Sequence, residues 1–177
     1  LVNENKIPIL LYSSDSGMAA KQLDTALEKT GMFSIKRPAG VLSAEAIKDM
    51  VNTKDALVAI VIPPGYSEEV LRKSQAVSKQ ALKDLELEKD TVASGNRQGM
   101  EVTMYYHPVL QQSFRKSIDG GLQSALQVVQ SKYIVQSLYY YVNNETIPDT
   151  LETQIVANQT PVKQEPVSKY GARQIPN

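Results

Sequence analysis

Residues 56–71, ALVAIVIPPGYSEEVL, decide the fold. Ala56 to Ile62 is a continuous apolar run rich in Val and Ile, without polar positions at helical spacing, as in a strand buried on both faces. Pro63 and Pro64 cannot donate to a sheet ladder, so the strand ends there. Gly65 permits a tight bend. Ser67, Glu68 and Glu69 follow, placing a side-chain acceptor and two carboxylates where the free N–H groups of a new helix would point. The stretch reads as strand, turn and helix meeting at the carboxyl end of a sheet, the edge where open α/β sheets bind ligands. None of these residues is a reactive group.

Working outward toward the amino end, Ile7 to Ser13 reads as a first strand. A helix to about Thr30 follows, with Ala19, Ala20, Leu23, Ala26 and Leu27 at helical spacing and Asp15 as its N-cap. Phe33 to Arg37 is a short second strand, and Ser43 opens a helix with Ala44, Ile47, Met50 and Val51 on its buried stripe. Strands alternating with helices argue for parallel pairing through right-handed crossovers.

Working outward toward the carboxyl end, helical spacing runs through Val70, Ser74, Val77, Ala81, Leu82 and Leu85. The chain then becomes charged, so 75–98 reads as a helical excursion returning by a loop, with a turn at Ser94-Gly95-Asn96. Glu101 to Tyr106 is a fourth strand, stopped by Pro108. A long helical region from about Leu110 to Val142 carries Phe114, Ile118, Leu122, Leu126, Val129, Tyr133 and Leu138 near one face. Gly120-Gly121 predicts a break or kink in it, with Asp119 able to cap a restart. Asp149 and Glu152 form a capping-box pattern for a last helix, with Leu151 and Ile155 as its apolar face, and Pro161 to Ser168 suits an edge strand or strap. The expected fold is α/β: a mostly parallel sheet of four to five strands flanked by helices, one long helical region following the fourth strand. The whole of 1–177 forms a single domain.

Composition narrows function mainly by exclusion. Nineteen basic and nineteen acidic side chains cancel, leaving no bulk field to gather nucleic acid or acidic lipid. No run approaches the roughly 20 apolar residues of a membrane span. Cysteine is absent and His107 is the one histidine, so transition-metal clusters and cysteine nucleophiles lack ligands or partners. No phosphate-binding glycine pattern occurs. His107 reads as a turn residue before proline rather than an acid or base. No catalytic, cofactor-binding or metal-ligating residue is assigned, and no cofactor is expected. The sequons Asn144-Glu145-Thr146 and Asn158-Gln159-Thr160 carry weight only in a eukaryotic secretory setting. Tyr66 is either a loop-packing residue or an exposed contact. In Tyr139-Tyr140-Tyr141, one or two rings pack internally and the others face a partner or a membrane interface.

A strand leading into Asp15-Ser16, an amphipathic helix with Leu23 and Leu27, the segment ALVAIVIPPGYSEEVLR, a short strand before His107-Pro108, a long helix, and a tail reaching GARQIPN together resemble the extracytoplasmic domain of type-2 ABC exporter permeases. The resemblance covers nearly the whole chain. Its most specific parts are Ala56 to Leu71 and the closing Ile175-Pro176-Asn177, which is similar to that family's lead-in to its second membrane helix. The charged stretch from Gln75 to Gln98 is longer than the family pattern. The resemblance implies a segment excised from between two membrane helices of a bacterial permease, on the extracytoplasmic or periplasmic side of the inner membrane. Its partners would be the parent membrane helices, a permease dimer partner, a cytoplasmic ATP-binding subunit that supplies the ATPase activity, and a periplasmic adaptor protein. It would contribute to export by cargo handling, gating or docking, and would not be an enzyme. Implied contact residues are Tyr66, Lys79, Lys83, Lys89, Tyr139 and Tyr140. The alternative is a free-standing periplasmic or sensory domain that binds a small molecule. A flavodoxin-like or receiver-like enzyme, using Asp15 or His107, lacks the supporting groups.

Overall fold

A computed structural model describes residues 6–85, 100–143 and 146–157. Four strands form one sheet in the order β2-β1-β3-β4, where β1 is Ile7–Ser13, β2 Phe33–Lys36, β3 Val58–Ile62 and β4 Thr103–Tyr106. β1 pairs in parallel with β2 and β3, setting Leu11 beside Ile60. β4 closes the sheet antiparallel to β3, with Met104 on the other side of Ile60. The α/β reading and the mostly parallel sheet are therefore found as expected.

Side-chain alternation divides the core in two. On one face Ile9, Leu11, Val58, Ile60 and Ile62 meet three helices: α1 (Met18–Lys29), α3 (Tyr66–Leu85) and α4 (Gln112–Asn143). On the other, Leu10 and Ala59 meet Ile47 and Val51 of α2 (Ala44–Asn52). Both faces of β3 are covered, which is why its sequence shows no polar alternation. The cap of α2 forms as its sequence predicts, the Ser43 hydroxyl accepting from the Ala46 N–H at 3.1 Å.

Three local expectations are corrected. First, α4 runs unbroken through Gly120 and Gly121. Glycine stands at 121 for close packing, since a Cβ there would lie 3.0 Å from both Met32 Sδ and Phe33 Cζ. Second, the helix α5 (Asp149–Ala157) takes Asp149 as its first residue, and the Glu152 carboxylate accepts from Gln136 of α4 rather than closing a capping box. Third, α3 exposes Val77 and Leu85 while burying Ser74 and Ser78, because its partner there is polar. Ile155 of α5 is likewise exposed. The turn at 94–96, the sequons at 144 and 158, and the strap at 161–168 fall wholly or partly outside the described residues.

Candidate functional site

β1 and β3 end side by side, and the two helices that follow them begin in contact. Gly17, the N-cap of α1, has extended backbone and offers no side-chain acceptor. That service comes from the other helix: Ser67 Oγ accepts from the Ala20 N–H at 3.1 Å. In return, Asp15 Oδ2 accepts from the Ser67 N–H at 2.9 Å and from its hydroxyl at 2.5 Å. Each helix thus satisfies an orphan N–H of its neighbour. Asp15 and Ser67 are caps, as their residue types suggest, but each caps the opposite helix from the one expected. Glycine at 17 is needed here, for a Cβ would overlap Ser67. Gly65 holds φ +84, and Met100 packs against the place its Cβ would occupy.

From this junction α3 does not fold back along the sheet. Gln130 Nε2 donates to Ser74 Oγ, the Ser78 hydroxyl donates to the Ile134 carbonyl, and Lys79 lies over the Tyr141 ring at 5.8 Å. The contacts advance together along both helices, so α3 and α4 run parallel. Gly121 rests against Phe33, at the start of β2, whereas Val129 and Lys132 face Met18 and Lys21, at the start of α1. α4 therefore climbs from the amino edge of the sheet to its carboxyl edge and continues past it. Its 32 residues span about 48 Å at ~1.5 Å per residue, far more than the sheet beneath it needs. α5 lies against the far half of α4, with Ile147 buried ahead of it. The result is a three-helix projection beyond the carboxyl edge.

The projection carries open apolar surface along one side. A cavity of ≈390 Å³ lies between Leu71 and Gln75 of α3, Ser137, Tyr140 and Tyr141 of α4, and Ile147. Leu71 is 44% exposed and Tyr140 52%, and the Tyr140 and Tyr141 rings meet edge to face at 6.0 Å. Nearer the sheet, a second cavity of ≈330 Å³ is lined by Tyr66, Glu69, Lys73, Met100, Glu101 and Gln130 among others. Glu69 is buried there and held by Arg72 through bonds of 2.9 and 2.7 Å.

The sequence-implied contact residues separate in the structure. Lys79 and Tyr140 are exposed at the projection, Tyr139 and Lys83 are half-buried on the same two helices, and Lys89 lies outside the described residues. Tyr66 is buried in the main core at the base, the packing alternative. Leu71 and Ile147 were missed as site residues, while Tyr141 belongs to the tyrosine run whose rings were read as packing inward or facing a partner, and Gln75 opens the charged stretch. Leu71 and Gln75 sit on α3 two turns and one turn before Lys79, a spacing that the sequence contains but that acquires meaning only beside α4.

Burial, reinforced by Tyr133 and Asp15, raises the pKa of Tyr66 strongly. Burial, together with Glu152 and Asp15, raises that of Tyr133. In the unfolded chain both phenols ionise near about 10. The neutral forms therefore contribute stability that is complete below about pH 10 and is lost as pH rises through the folded-state values. Ultraviolet titration of tyrosinate should show Tyr66 resisting ionisation until the chain unfolds and Tyr133 ionising above the usual phenol range. Simultaneous titration of every tyrosine in a chain with native circular dichroism would contradict this placement.

No group of three His, Asp or Glu residues suited to a metal ion occurs among the described residues, and no helix there is long and apolar enough to cross a membrane. His107 accepts from the Val109 N–H through Nδ1 at 3.0 Å, as a turn residue would.

No family model matches the chain, and no curated protein is a significant match. Among solved structures, the chain is similar to the crystal structure of "a domain of a putative ABC type-2 transporter" from Thermotoga maritima MSB8. The two share 18% sequence identity with a TM-score of 0.45, over 88% of this chain and 81% of that one.

Proposed function

We propose that this chain is the extracytoplasmic domain of a type-2 ABC exporter permease, and that the projection of α3, α4 and α5 is its working face. The observation that carries the proposal is the order of elements named by the resemblance. An aliphatic strand closes at Ile62-Pro63-Pro64-Gly65-Tyr66, passes directly into a long helix, and is followed by a short strand and a longer helix. The geometry supplies what a docking or gating role needs. A rigid base, locked by Asp15 and Ser67, holds out a projection along whose side Leu71, Tyr140 and Lys79 stand open to a cargo molecule, the permease dimer partner or a periplasmic adaptor. Exposed aromatic and aliphatic side chains beside a cavity are the usual anchors of such contacts. The ATPase activity belongs to a separate cytoplasmic subunit.

Two measurements test this in sequence. The coding region on either side of these residues should encode apolar segments of roughly 20 residues, one before and several after. Reading frames that close near both ends would sink the permease assignment. In the parent protein, the double variant Leu71→Ser, Tyr140→Ser should then reduce export about tenfold or more, the effect of losing one or two anchor residues. Both side chains are exposed, so circular dichroism and stability should stay within about 0.5 kcal/mol of the parent. Undiminished export by that variant would remove this side of the projection from the mechanism.

A further inference from the structure

At the opposite edge of the sheet lies a feature that the projection does not explain. The amino ends of β1 and β3 and the first turn of α4 enclose a groove of ≈550 Å³, the largest of the cavities described, lined by Lys6, Pro8, Lys54, Ala56, Leu110 and Phe114 among others. Phe114 is 50% exposed and Val109 56%, although both adjoin well-packed elements. Val109 is held outward by structure. Its N–H donates to His107 Nδ1, the Leu110 N–H donates to the His107 carbonyl at 2.9 Å, and the His107 N–H donates to the Leu57 carbonyl at 2.8 Å. A short pinned turn thus presents an aliphatic side chain to solvent.

Cations stand along this edge. Lys6, just before β1, and Lys54, in the turn before β3, line the groove, and Arg115 and Lys116 stand in the first two turns of α4. None of the four forms an ion pair with a described residue. The Arg115 guanidinium stacks 4.8 Å from the exposed Tyr106 ring, holding a charge and an aromatic face at one level. Asp55 is the acidic side chain lining the groove, and its carboxylate accepts from the Thr53 hydroxyl. Four cations from three separated parts of the chain converge on one edge of a protein whose net charge is zero.

We infer that this amino edge is a membrane-contact surface that rests on anionic phospholipid. The chemistry matches on both counts. Lys and Arg stems lie along apolar surface while their heads reach phosphate, and Phe, Val and Tyr at the same level suit the headgroup boundary. The electrostatic part acts within a Debye length, about 8 Å at physiological salt, so it requires the cations to sit at the surface, as these do. The inference rests on the proposed permease reading in one respect: the chain enters β1 from this edge, which would then be the edge nearest the bilayer. That places the contact opposite the α3–α4–α5 projection and leaves the projection free for partners.

Flotation of the full 177-residue chain with vesicles is the test. Vesicles of phosphatidylcholine mixed with phosphatidylglycerol should carry the chain upward, those of phosphatidylcholine alone should not, and raised salt should release it. Lys116→Glu and Phe114→Ser should each weaken partitioning, and together by about tenfold or more, because one removes attraction and the other apolar insertion. Lys79→Glu, at the far end, should leave flotation unchanged. Failure to float with anionic vesicles overturns the inference. So does equal loss on Lys79→Glu, or binding of an acidic peptide such as polyglutamate in place of vesicles. Lys116→Glu keeps the test decisive even if Phe114→Ser fails to fold. None of these outcomes bears on the flanking membrane segments, so failure here is separable from failure of the permease reading.

Discussion

Asp15→Ala is expected to lower stability by about 2–3 kcal/mol, far more than an ordinary surface substitution or the loss of a simple cap. The reason is the number of groups left without a partner. One carboxylate oxygen accepts from both the N–H and the hydroxyl of Ser67 in a half-buried position. Removing it orphans two donors, one of them in the first turn of α3. The hydroxyl that also serves the Ala20 N–H is no longer held in place. Ser67→Ala should cost less, about 1–2 kcal/mol, since one capping acceptor is lost and Asp15 can turn to water. The double variant should fall short of the sum by about 1 kcal/mol or more, as neighbours in one hydrogen-bond network do. Asp15→Asn, which keeps an acceptor oxygen, should lie between alanine and the parent. Urea unfolding with an unchanged m-value is the measurement. A loss below about 0.5 kcal/mol for Asp15→Ala would show that the two helix starts are held by packing alone.

That junction also marks the boundary of what the sequence discloses. Local signals were legible where their cause is local. The apolar run of β3 stopped by Pro63-Pro64, the Ser43 cap and the helical spacing of Leu23 and Leu27 are all set by neighbours within a few residues. Caps were legible as a residue type at a position, but not as a destination. Asp15 finds its donors 52 residues away, and only the adjacency of β1 and β3 brings them together. The same limit explains Gly121. Beside Gly120 it reads as a weak helical residue, and the ring of Phe33 that requires it lies on another element. α3 is the clearest case. Its apolar spacing points to Val77 and Leu85, yet its buried side holds Ser74 and Ser78, because α4 answers with Gln130 and a backbone carbonyl. The outward direction of α3 has no local signal at all. It follows from pairing with α4, which is also what turns Leu71, Tyr140 and Lys79 from scattered exposed residues into one side of the projection.

The second large effect is expected at Ile60. Ile60→Ala should destabilise the domain by about 4 kcal/mol, near the upper end of the range for deleting buried methyl groups. Ile60 is fully buried, and β3 has a hydrogen-bonded neighbour on each side, with Leu11 and Met104 in register beside it. Its side chain enters the larger core, with Ile62, Leu23 and Ile118 in the same cluster. A central strand covered on both faces has little freedom to collapse into the space left behind, so both the transfer and the cavity contributions should appear in full. Ile60→Val, which removes a single methylene, should cost about 0.5–1.5 kcal/mol. At ~2–4 °C per kcal/mol for a domain of this size, the alanine variant should melt about 8–16 °C below the parent. The contrast with Asp15 is informative. Both changes loosen the sheet-to-α3 connection, one through packing behind the strand and one through the cap beyond it. More than 10 Å of chain separates them at ~3.3 Å per residue, so with no shared partner their costs should add within about 0.5 kcal/mol. Coupling well above that would mean that β3, the Pro63-Pro64-Gly65 turn and the start of α3 behave as one rigid piece, the property that a lever carrying force from the projection to the sheet would need.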